Sequence, residues 1–149
     1  MATKILMVCL GNICRSPLAE GILQSLVDPT KIIVDSAGTG GYHIGEKPDY
    51  RSIAIAKEHG IDISKQRCRK FHVADFREFD VIYAMDKSNY ANIIAKAENA
   101  NDVKKVRLLL TEIDGRENQV PDPYYGGADG FENVFNMIKM ACIEIAKKL

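Results

Sequence analysis

The feature that most constrains the fold of this chain is a regular alternation of short apolar runs with longer segments of helical spacing. Apolar runs of strand length lie at residues 5–8, 32–34, 81–84 and 106–110. Apolar residues at helical spacing lie within residues 17–26, 48–58, 87–97 and 130–148. Because strands that alternate with crossover helices pair in parallel, the pattern predicts an α/β protein whose four-stranded parallel sheet is flanked by helices on both faces.

Residues that start and stop helices agree with these limits. Ser16 followed by Pro17 predicts an N-cap and a first helical residue. Gly60 predicts the end of the second helix, and Asp86 predicts a cap for the third. No repeat, low-complexity tract or linker divides the chain, so we expect one domain over residues 1–149 with a Rossmann-like three-layer arrangement. In such sheets, ligands bind beyond the carboxyl ends of the strands.

Composition narrows the class of function. Lys and Arg together number 20, and Asp and Glu also number 20. A formal net charge of zero gives no general attraction to nucleic acid or to an anionic membrane surface, so we expect neither as a partner. The longest strongly apolar stretch near the start, Ile5 to Leu10, is about six residues long. It is too short for a signal peptide or a membrane span, which favours a cytoplasmic protein.

The cysteines favour free thiols over a disulfide framework or a metal site. A chain long enough to build its own core does not depend on disulfides, and the spacing of Cys9, Cys14, Cys68 and Cys142 lacks the two close ligand pairs of a structural zinc site. We therefore expect no bound metal. The sequence does not indicate an oligomeric state.

Chemistry is concentrated in residues 9–16, called the 9–16 segment below, which join the first predicted strand to the first predicted helix. Such a connection directs several backbone N–H groups and the positive end of the helix dipole at one point, which makes an anion site. Gly11 and Asn12 suit the positive φ of a tight loop, and Arg15 adds a planar fork for two phosphate oxygens. The same surroundings favour a thiolate at Cys9, which makes Cys9 a candidate nucleophile.

A proton donor is also needed, because a phenolate or alkoxide leaves phosphorus slowly unless its oxygen is protonated. Asp122 lies in a stretch rich in Gly, Asp and Pro between the fourth predicted strand and the last predicted helix, at the same edge of the sheet. Pro123 holds it in extended geometry. Asp129 is a competing carboxylate, although a place as N-cap of the last helix suits it better.

Residues 8–20, which read VCLGNICRSPLAE, resemble the signature of the low-molecular-weight protein tyrosine phosphatases. The likeness runs nearly end to end, through DSAG at 35–38, GI at 60–61, AMD at 84–86 and DPY at 122–124. It implies hydrolysis of phosphotyrosine in proteins, with Cys9 as nucleophile, Arg15 as phosphate ligand and Asp122 as general acid and then base. A phosphocysteine forms on the implied path, and inorganic phosphate is an inhibiting product. Because fixed cationic groups take the place of a metal ion, no cofactor is expected.

Aromatic residues near the predicted acid indicate the substrate. Tyr42, Tyr124 and Tyr125 can form the walls of a deep slot that admits a phenyl ring, whereas a short phosphoserine would not reach its bottom. The family likeness suggests that Leu10 and Ile13 line the same entrance. The alternative is that the tyrosines are ordinary exposed loop residues.

The resemblance also implies polar support for the 9–16 segment. Many relatives pair Asn12, Ser16 and Ser36 with a histidine, and Gln66 stands in its place here. An amide can form hydrogen bonds but cannot change charge near neutrality, so we expect the rigidity or the pH response of the segment to differ from that of the family. Ser16 is also placed to stabilise the thiolate, its alternative role being the helix cap.

Other readings remain open at this point. The family likeness implies a reversible disulfide between Cys14 and oxidised Cys9, and the alternative for Cys14 is a small buried thiol. An arsenate reductase of the same fold would need two further cysteines, and residues 80–110 contain none. A phosphoarginine phosphatase is less favoured, because such relatives carry Thr in place of Ile13. A phosphate-binding or redox-sensing module without catalysis would not need Asp122.

Overall fold

The computed structural model describes residues 2–115, 118–124 and 128–149. Its sheet consists of the parallel strands β1 (Thr3–Cys9), β2 (Ile32–Gly38), β3 (Val81–Ala84) and β4 (Val106–Leu108), in the order β2-β1-β3-β4. The described helices are α1 (Arg15–Leu26), α2 (Tyr50–Glu58), α3 (Asp75–Glu78), α4 (Lys87–Ile94), α5 (Ala100–Lys104), α6 (Thr111–Asp114) and α7 (Ala128–Lys147). The predicted fold class, a parallel sheet between two layers of helices, is confirmed.

The central strand β1 divides the apolar core into two halves. Its side chains alternate, so that Ile5 and Met7 face one side of the sheet while Leu6 and Val8 face the other. The first half of the core is closed by α1, α2 and α7, and the second by α4 and a group of phenylalanines that precede β3. Because β1 is buried on both faces, the residue at its end, Cys9, is held by the core of the protein.

Strand and helix limits differ from the predictions in ways that have physical causes. Residues 81–84 form β3 as predicted, whereas β1 and β2 are longer than the apolar runs that mark them. Strand β4 is shorter because Leu109 and Leu110 leave the sheet, remain buried and lead into α6. The short helices α3, α5 and α6 were not predicted, since four or five residues are too few to show a helical period.

The helix-cap predictions divide into correct and wrong ones. Asp86 caps α4 by accepting a hydrogen bond from the backbone N–H of Asn89 at 2.7 Å, and Gly60 follows α2 with φ +77°, as predicted. The prediction for Ser16 is wrong, because α1 begins at Arg15 and the Ser16 hydroxyl forms interior hydrogen bonds instead. Asp129 lies in the first turn of α7 and is not its N-cap.

The described helices include none that is both long enough and apolar enough to cross a lipid bilayer.

Candidate active site

A cavity of about 430 Å³ lies at the carboxyl edge of the sheet, where β1 ends and α1 begins. Its lining includes the three predicted catalytic residues, Cys9, Arg15 and Asp122. Six further predicted site residues also line it, and they are Leu10, Gly11, Ile13, Cys14, Tyr42 and Tyr124. Tyr125 lies outside the described residues. The structure therefore brings residues 9–15 together with residues from two distant loops.

The Cys9 thiol is buried and contacts one hydroxyl. Its Sγ lies 3.1 Å from Ser16 Oγ, and the residue is 2% exposed. Ser16 Oγ accepts a hydrogen bond from Asn12 Nδ2 at 2.8 Å, so its own proton is directed to Cys9 or to the more distant Ala37 carbonyl oxygen at 3.4 Å. A hydroxyl that donates to sulfur stabilises an anionic sulfur more than a neutral one. The Ser16 hydroxyl lies within hydrogen-bond distance of the sulfur, and its role in stabilising a thiolate stays a prediction.

The backbone of the 9–16 segment turns sharply at Asn12. This residue has φ +56°, in the left-handed region that Asn tolerates better than most residues with a side chain. Its Oδ1 accepts from the backbone N–H of Arg69 at 3.0 Å, which leaves Nδ2 as the donor. Gly11 does not adopt a positive φ, so that prediction is wrong. A Cβ at Gly11 would instead lie 3.4 Å from the ring of His43.

The polar support of this segment ends in a carboxyl group that the sequence analysis missed. Asn12 Nδ2 also donates to Ser36 Oγ at 3.0 Å, and Ser36 Oγ donates to Glu20 Oε1 at 2.7 Å. Burial raises the pKa of Glu20 to about 7, and Asp35 adds to the rise while the hydrogen bond from Ser36 opposes it. Glu20 follows Ser16 by four positions, so the two lie on the same face of α1. This helical spacing was the signal that could have placed Glu20 near the network.

Gln66 bonds outside this network, and its effect on the rigidity or the pH response of the segment stays a prediction. Its Nε2 donates to the carbonyl oxygen of Pro17 at 3.1 Å, and its Oε1 is buried without a hydrogen-bond partner among the described residues. The carboxyl group in direct contact with the network is that of Glu20, which accepts from Ser36.

Arg15 is buried and held from one side. Its Nη1 donates to Asp86 Oδ2 at 2.6 Å and to the carbonyl oxygen of Val120 at 2.9 Å, while Nη2 lies 3.7 Å from Asp122 Oδ2. Burial alone would lower the pKa of Arg15, but Cys9, Asp86 and Asp122 together raise it, so the guanidinium stays charged. Asp86 was predicted only as a helix cap. Asp86 both caps the N-terminus of α4 and orients Arg15. Its Oδ1 accepts from the backbone N–H of Asn89, and its Oδ2 accepts from Arg15.

Gly38 is a second residue whose role was missed. A Cβ at this position would lie 2.8 Å from the carbonyl oxygen of Leu10 and 3.1 Å from the backbone nitrogen of Asn12. Real Cβ atoms do not approach backbone so closely, so only glycine lets β2 pack against the 9–16 segment. In the sequence, a glycine just after a predicted strand was the feature that could have indicated this close approach of backbone.

The two cysteines of the segment differ in surroundings. Burial is the main cause that raises the pKa of Cys14 to about 12, and Asp49, Cys9 and Asp122 add to it. The Cys14 thiol is therefore protonated near neutral pH. Cys14 is therefore a neutral, buried thiol beside the candidate nucleophile.

The entrance to the cavity is apolar and partly exposed. Tyr42 is 72% exposed and Tyr124 is 38% exposed, and both line the opening together with Leu10 and Ile13. Asp122 lies beside them with its side chain 39% exposed, and its Oδ1 accepts from the backbone N–H of Tyr124 at 3.0 Å. A carboxyl group at the rim, a guanidinium and a thiol below it can act together on a phosphate ester.

Among the described residues, no group of three or more His, Cys, Asp or Glu side chains is arranged to hold a metal ion.

Comparison with known proteins shows the family to which the chain belongs. Residues 4–149 match the family model of the low molecular weight phosphotyrosine protein phosphatases. The human low molecular weight phosphotyrosine protein phosphatase is 40% identical over 153 aligned positions, which cover 99% of this chain and 96% of the human one. A protein tyrosine phosphatase from Entamoeba histolytica, solved with HEPES in its active site, is similar with a TM-score of 0.92 and 36% identity, over 99% of this chain and 96% of that one. Wzb from Vibrio vulnificus, solved in complex with benzylphosphonate, has a TM-score of 0.89 and 32% identity, and each chain is covered completely at 100%.

Proposed function

Because the chain belongs to the low-molecular-weight phosphotyrosine protein phosphatase family and is an enzyme of that class, we propose that it hydrolyses phosphotyrosine in proteins through a phosphocysteine intermediate on Cys9. The observation that carries this proposal is the convergence of Cys9, Arg15 and Asp122 on one cavity. A thiol, a fixed cation and a carboxyl group are the three parts that metal-independent transfer of a phosphoryl group needs.

In the first step, the Cys9 thiolate attacks phosphorus in line with the leaving oxygen. The Ser16 hydroxyl, 3.1 Å from the sulfur, stabilises the thiolate before attack and again when it is released. Backbone N–H groups at the start of α1 bind the phosphate oxygens with the positive end of the helix dipole. The product of this step is a phosphocysteine and a free phenol.

Arg15 binds the phosphoryl group during both steps. Its Nη1 is engaged by Asp86 and Val120, so the guanidinium plane is fixed before substrate arrives, and its remaining donors are the ones we assign to phosphate oxygens. A group that needs no reorganisation when charge develops lowers the barrier more than one that must first be ordered.

Asp122 provides the proton for the leaving phenolate and later removes a proton from the attacking water. Its position at the rim, with Oδ2 3.7 Å from Arg15 Nη2 and Oδ1 bonded to Tyr124, supports this role. Hydrolysis of the phosphocysteine then releases inorganic phosphate. That product binds the same groups and is expected to inhibit competitively.

The walls of the cavity support an aryl substrate. Tyr42 and Tyr124 present flat aromatic surface at the opening. Ile13 adds branched apolar surface, which suits a phenyl ring more than a charged guanidinium. The relative from Vibrio vulnificus binds benzylphosphonate, an aromatic phosphonate, and this is the class of ligand proposed here. A phosphoarginine peptide is the informative competitor substrate.

Cys14 provides a reversible protection of the nucleophile. Peroxide converts the Cys9 thiolate to a sulfenic acid, the Cys14 thiol then condenses with it with loss of water, and an external thiol reduces the resulting disulfide by exchange. Cys14→Ser is expected to recover less activity than wild type after peroxide followed by dithiothreitol, while Cys142→Ala recovers normally. Equal recovery in all three proteins would contradict this role.

Initial rates on p-nitrophenyl phosphate test the proposed reaction, measured with EDTA under reducing conditions between about pH 5 and 7. Wild type is expected to turn over, Cys9→Ser to lose at least about a thousandfold in kcat, and the core variant Cys142→Ala to stay near wild type. Absence of turnover in wild type, or retention of activity in Cys9→Ser, would overturn the proposal. Rates on matched phosphotyrosine and phosphoarginine peptides then decide the substrate class.

A further inference from the structure

Arg51 has contacts that none of the steps above explains. It is in the first turn of α2 and does not line the cavity. Its guanidinium carbon lies 4.6 Å from the centre of the Phe131 ring and 5.3 Å from the centre of the Tyr124 ring. Both distances are within the range of a cation–π contact, so one guanidinium contacts both α7 and the segment that carries the candidate acid.

Asp49 fixes the orientation of this guanidinium. Arg51 Nε donates to Asp49 Oδ1 and Nη2 donates to Asp49 Oδ2, both at 3.0 Å, which is the two-bond pairing that only arginine makes with a carboxylate. The Asp49 side chain is only 9% exposed. Burial would raise the pKa of Asp49, but the hydrogen bonds from Arg51 outweigh it and lower the pKa, so the pair is ionic.

The same aspartate contacts the 9–16 segment. The backbone N–H of Asp49 donates to the carbonyl oxygen of Ile13 at 2.8 Å. Asp49 and Arg51 therefore form a bridge that starts at the phosphate-binding half of the cavity and ends on the ring of Tyr124. Tyr124 in turn donates its backbone N–H to Asp122 Oδ1 at 3.0 Å.

We propose that Arg51 is a positioning residue for the candidate general acid: the guanidinium, oriented by Asp49, holds the Tyr124 ring, and Tyr124 holds the Asp122 carboxyl group over the leaving oxygen. The inference rests on the proposed function, in which Asp122 protonates the leaving group. Since Arg51 does not touch the phosphoryl group, its loss affects proton donation and spares the attack of Cys9.

Leaving groups of different basicity separate these two effects. Phenolate is strongly basic and needs its proton, whereas p-nitrophenolate leaves well without one. For Arg51→Met, kcat/KM on phenyl phosphate is expected to fall about tenfold or more, and on p-nitrophenyl phosphate by less than about threefold, because general acid catalysis matters only for the poor leaving group. Arg77→Met is the matched control, since Arg77 is an exposed arginine of α3 outside the cavity lining, and it is expected to change neither rate.

An equal loss on both substrates would overturn the proposal, because a general disturbance of the fold does not discriminate between leaving groups. Tyr124→Leu gives a second test that leaves the Asp49–Arg51 pair intact and should also depress phenyl phosphate selectively. If Arg51→Met does not fold, the ratio of the two rates in Tyr124→Leu decides, and an unchanged ratio there overturns the proposal.

Asp122→Asn distinguishes failure of this inference from failure of the proposed function. If Asp122→Asn discriminates between the two substrates and Arg51→Met does not, only the positioning role of Arg51 is wrong. If Asp122→Asn itself shows no such discrimination, the assignment of the acid is wrong and the inference falls with it.

Discussion

The two regions that meet at the cavity, the 9–16 segment and residues 118–124, are held in different ways. In the 9–16 segment the polar side chains are buried, with Asn12 and Arg15 each 2% exposed and Ser16 0% exposed. Asn12 bonds to Ser16 and to Ser36 of β2, while Arg15 bonds to Asp86 and to the carbonyl oxygen of Val120. In the second region the Asp122 side chain is 39% exposed, and Tyr124 is 38% exposed. Apart from the hydrogen bond between the Tyr124 N–H and Asp122, these two side chains are contacted from other elements, by Arg15 and Arg51.

This difference suits the two regions to different tasks, the 9–16 segment to binding of the phosphoryl group and residues 118–124 to proton transfer. A segment that follows a buried strand and bonds internally is rigid before substrate binds, as a site for a phosphoryl group requires. A carboxyl group at the rim is accessible to water and to the leaving group, and its position depends on neighbours. Changes in the first region should therefore lower the rate on every phosphate monoester, while changes in the second should depend on the leaving group.

The largest selective effect is expected for Asp122→Asn. Loss of the proton donor should lower kcat/KM on phenyl phosphate by about 10² to 10⁴ while the inhibition constant of inorganic phosphate changes little, because the amide keeps the shape and removes only the transferable proton. Asp129→Asn, in the first turn of α7, is the matched control and should stay near wild type. Wild-type turnover of phenyl phosphate by Asp122→Asn would exclude Asp122 as the acid.

A smaller and non-selective effect is expected for Gly38→Ala. The added Cβ would lie 2.8 Å from the carbonyl oxygen of Leu10 and displace the 9–16 segment. A displacement of this kind costs about a hundredfold, and we expect it in kcat/KM on both phenyl and p-nitrophenyl phosphate. Gly41→Ala is the control, since its Cβ would have no neighbour closer than 3.4 Å. Activity within about threefold of wild type in Gly38→Ala would show that the close approach is not required.

The smallest effect is expected at the far end of the hydrogen-bond network, at Glu20. Its pKa of about 7 in the folded protein lies above the ordinary value of 4.5, so the folded state holds the proton more tightly than the unfolded state does. The free energy of unfolding should therefore fall as the pH rises from about 4.5 to 7, by on the order of 2 kcal/mol for this partly exposed group.

Urea denaturation at pH 5 and pH 8 measures this contribution. The Glu20→Gln variant has no carboxyl group to ionise at this position. Between pH 5 and pH 8 its free energy of unfolding should therefore fall less than that of wild type, by on the order of 2 kcal/mol. Glu132→Gln, an exposed position of α7, should behave as wild type. The same pH dependence in Glu20→Gln and wild type would remove Glu20 as the titrating group.

Sequence patterns predicted the 9–16 segment better than the contacts of residues 118–124. The 9–16 segment is contiguous, and its chemistry follows from a strand, a tight turn and a helix N-terminus that are adjacent in the chain. The Arg15–Asp86 ion pair and the Arg51–Tyr124 contact join residues far apart in sequence. No local pattern shows which of several aspartates or aromatic residues makes such a contact.

The wrong prediction of a helix cap at Ser16 rests on a local sequence pattern that tertiary contacts override. Ser16 before Pro17 has the pattern of a helix cap, but the buried network around Cys9 takes the Ser16 hydroxyl and the helix starts earlier. The burial of Ser16 determines where its hydroxyl bonds, and burial is known only once the layers of the fold are assembled.

The most direct test of the central claim is to trap the phosphorylated enzyme. Wild type is mixed with p-nitrophenyl phosphate, quenched in acid within milliseconds, digested and analysed by mass spectrometry. We expect one phosphoryl group on the peptide that contains Cys9, absent in Cys9→Ser and retained in Cys142→Ala. A phosphoryl group on another residue, or rapid turnover with no trapped intermediate and full activity in Cys9→Ser, would contradict it.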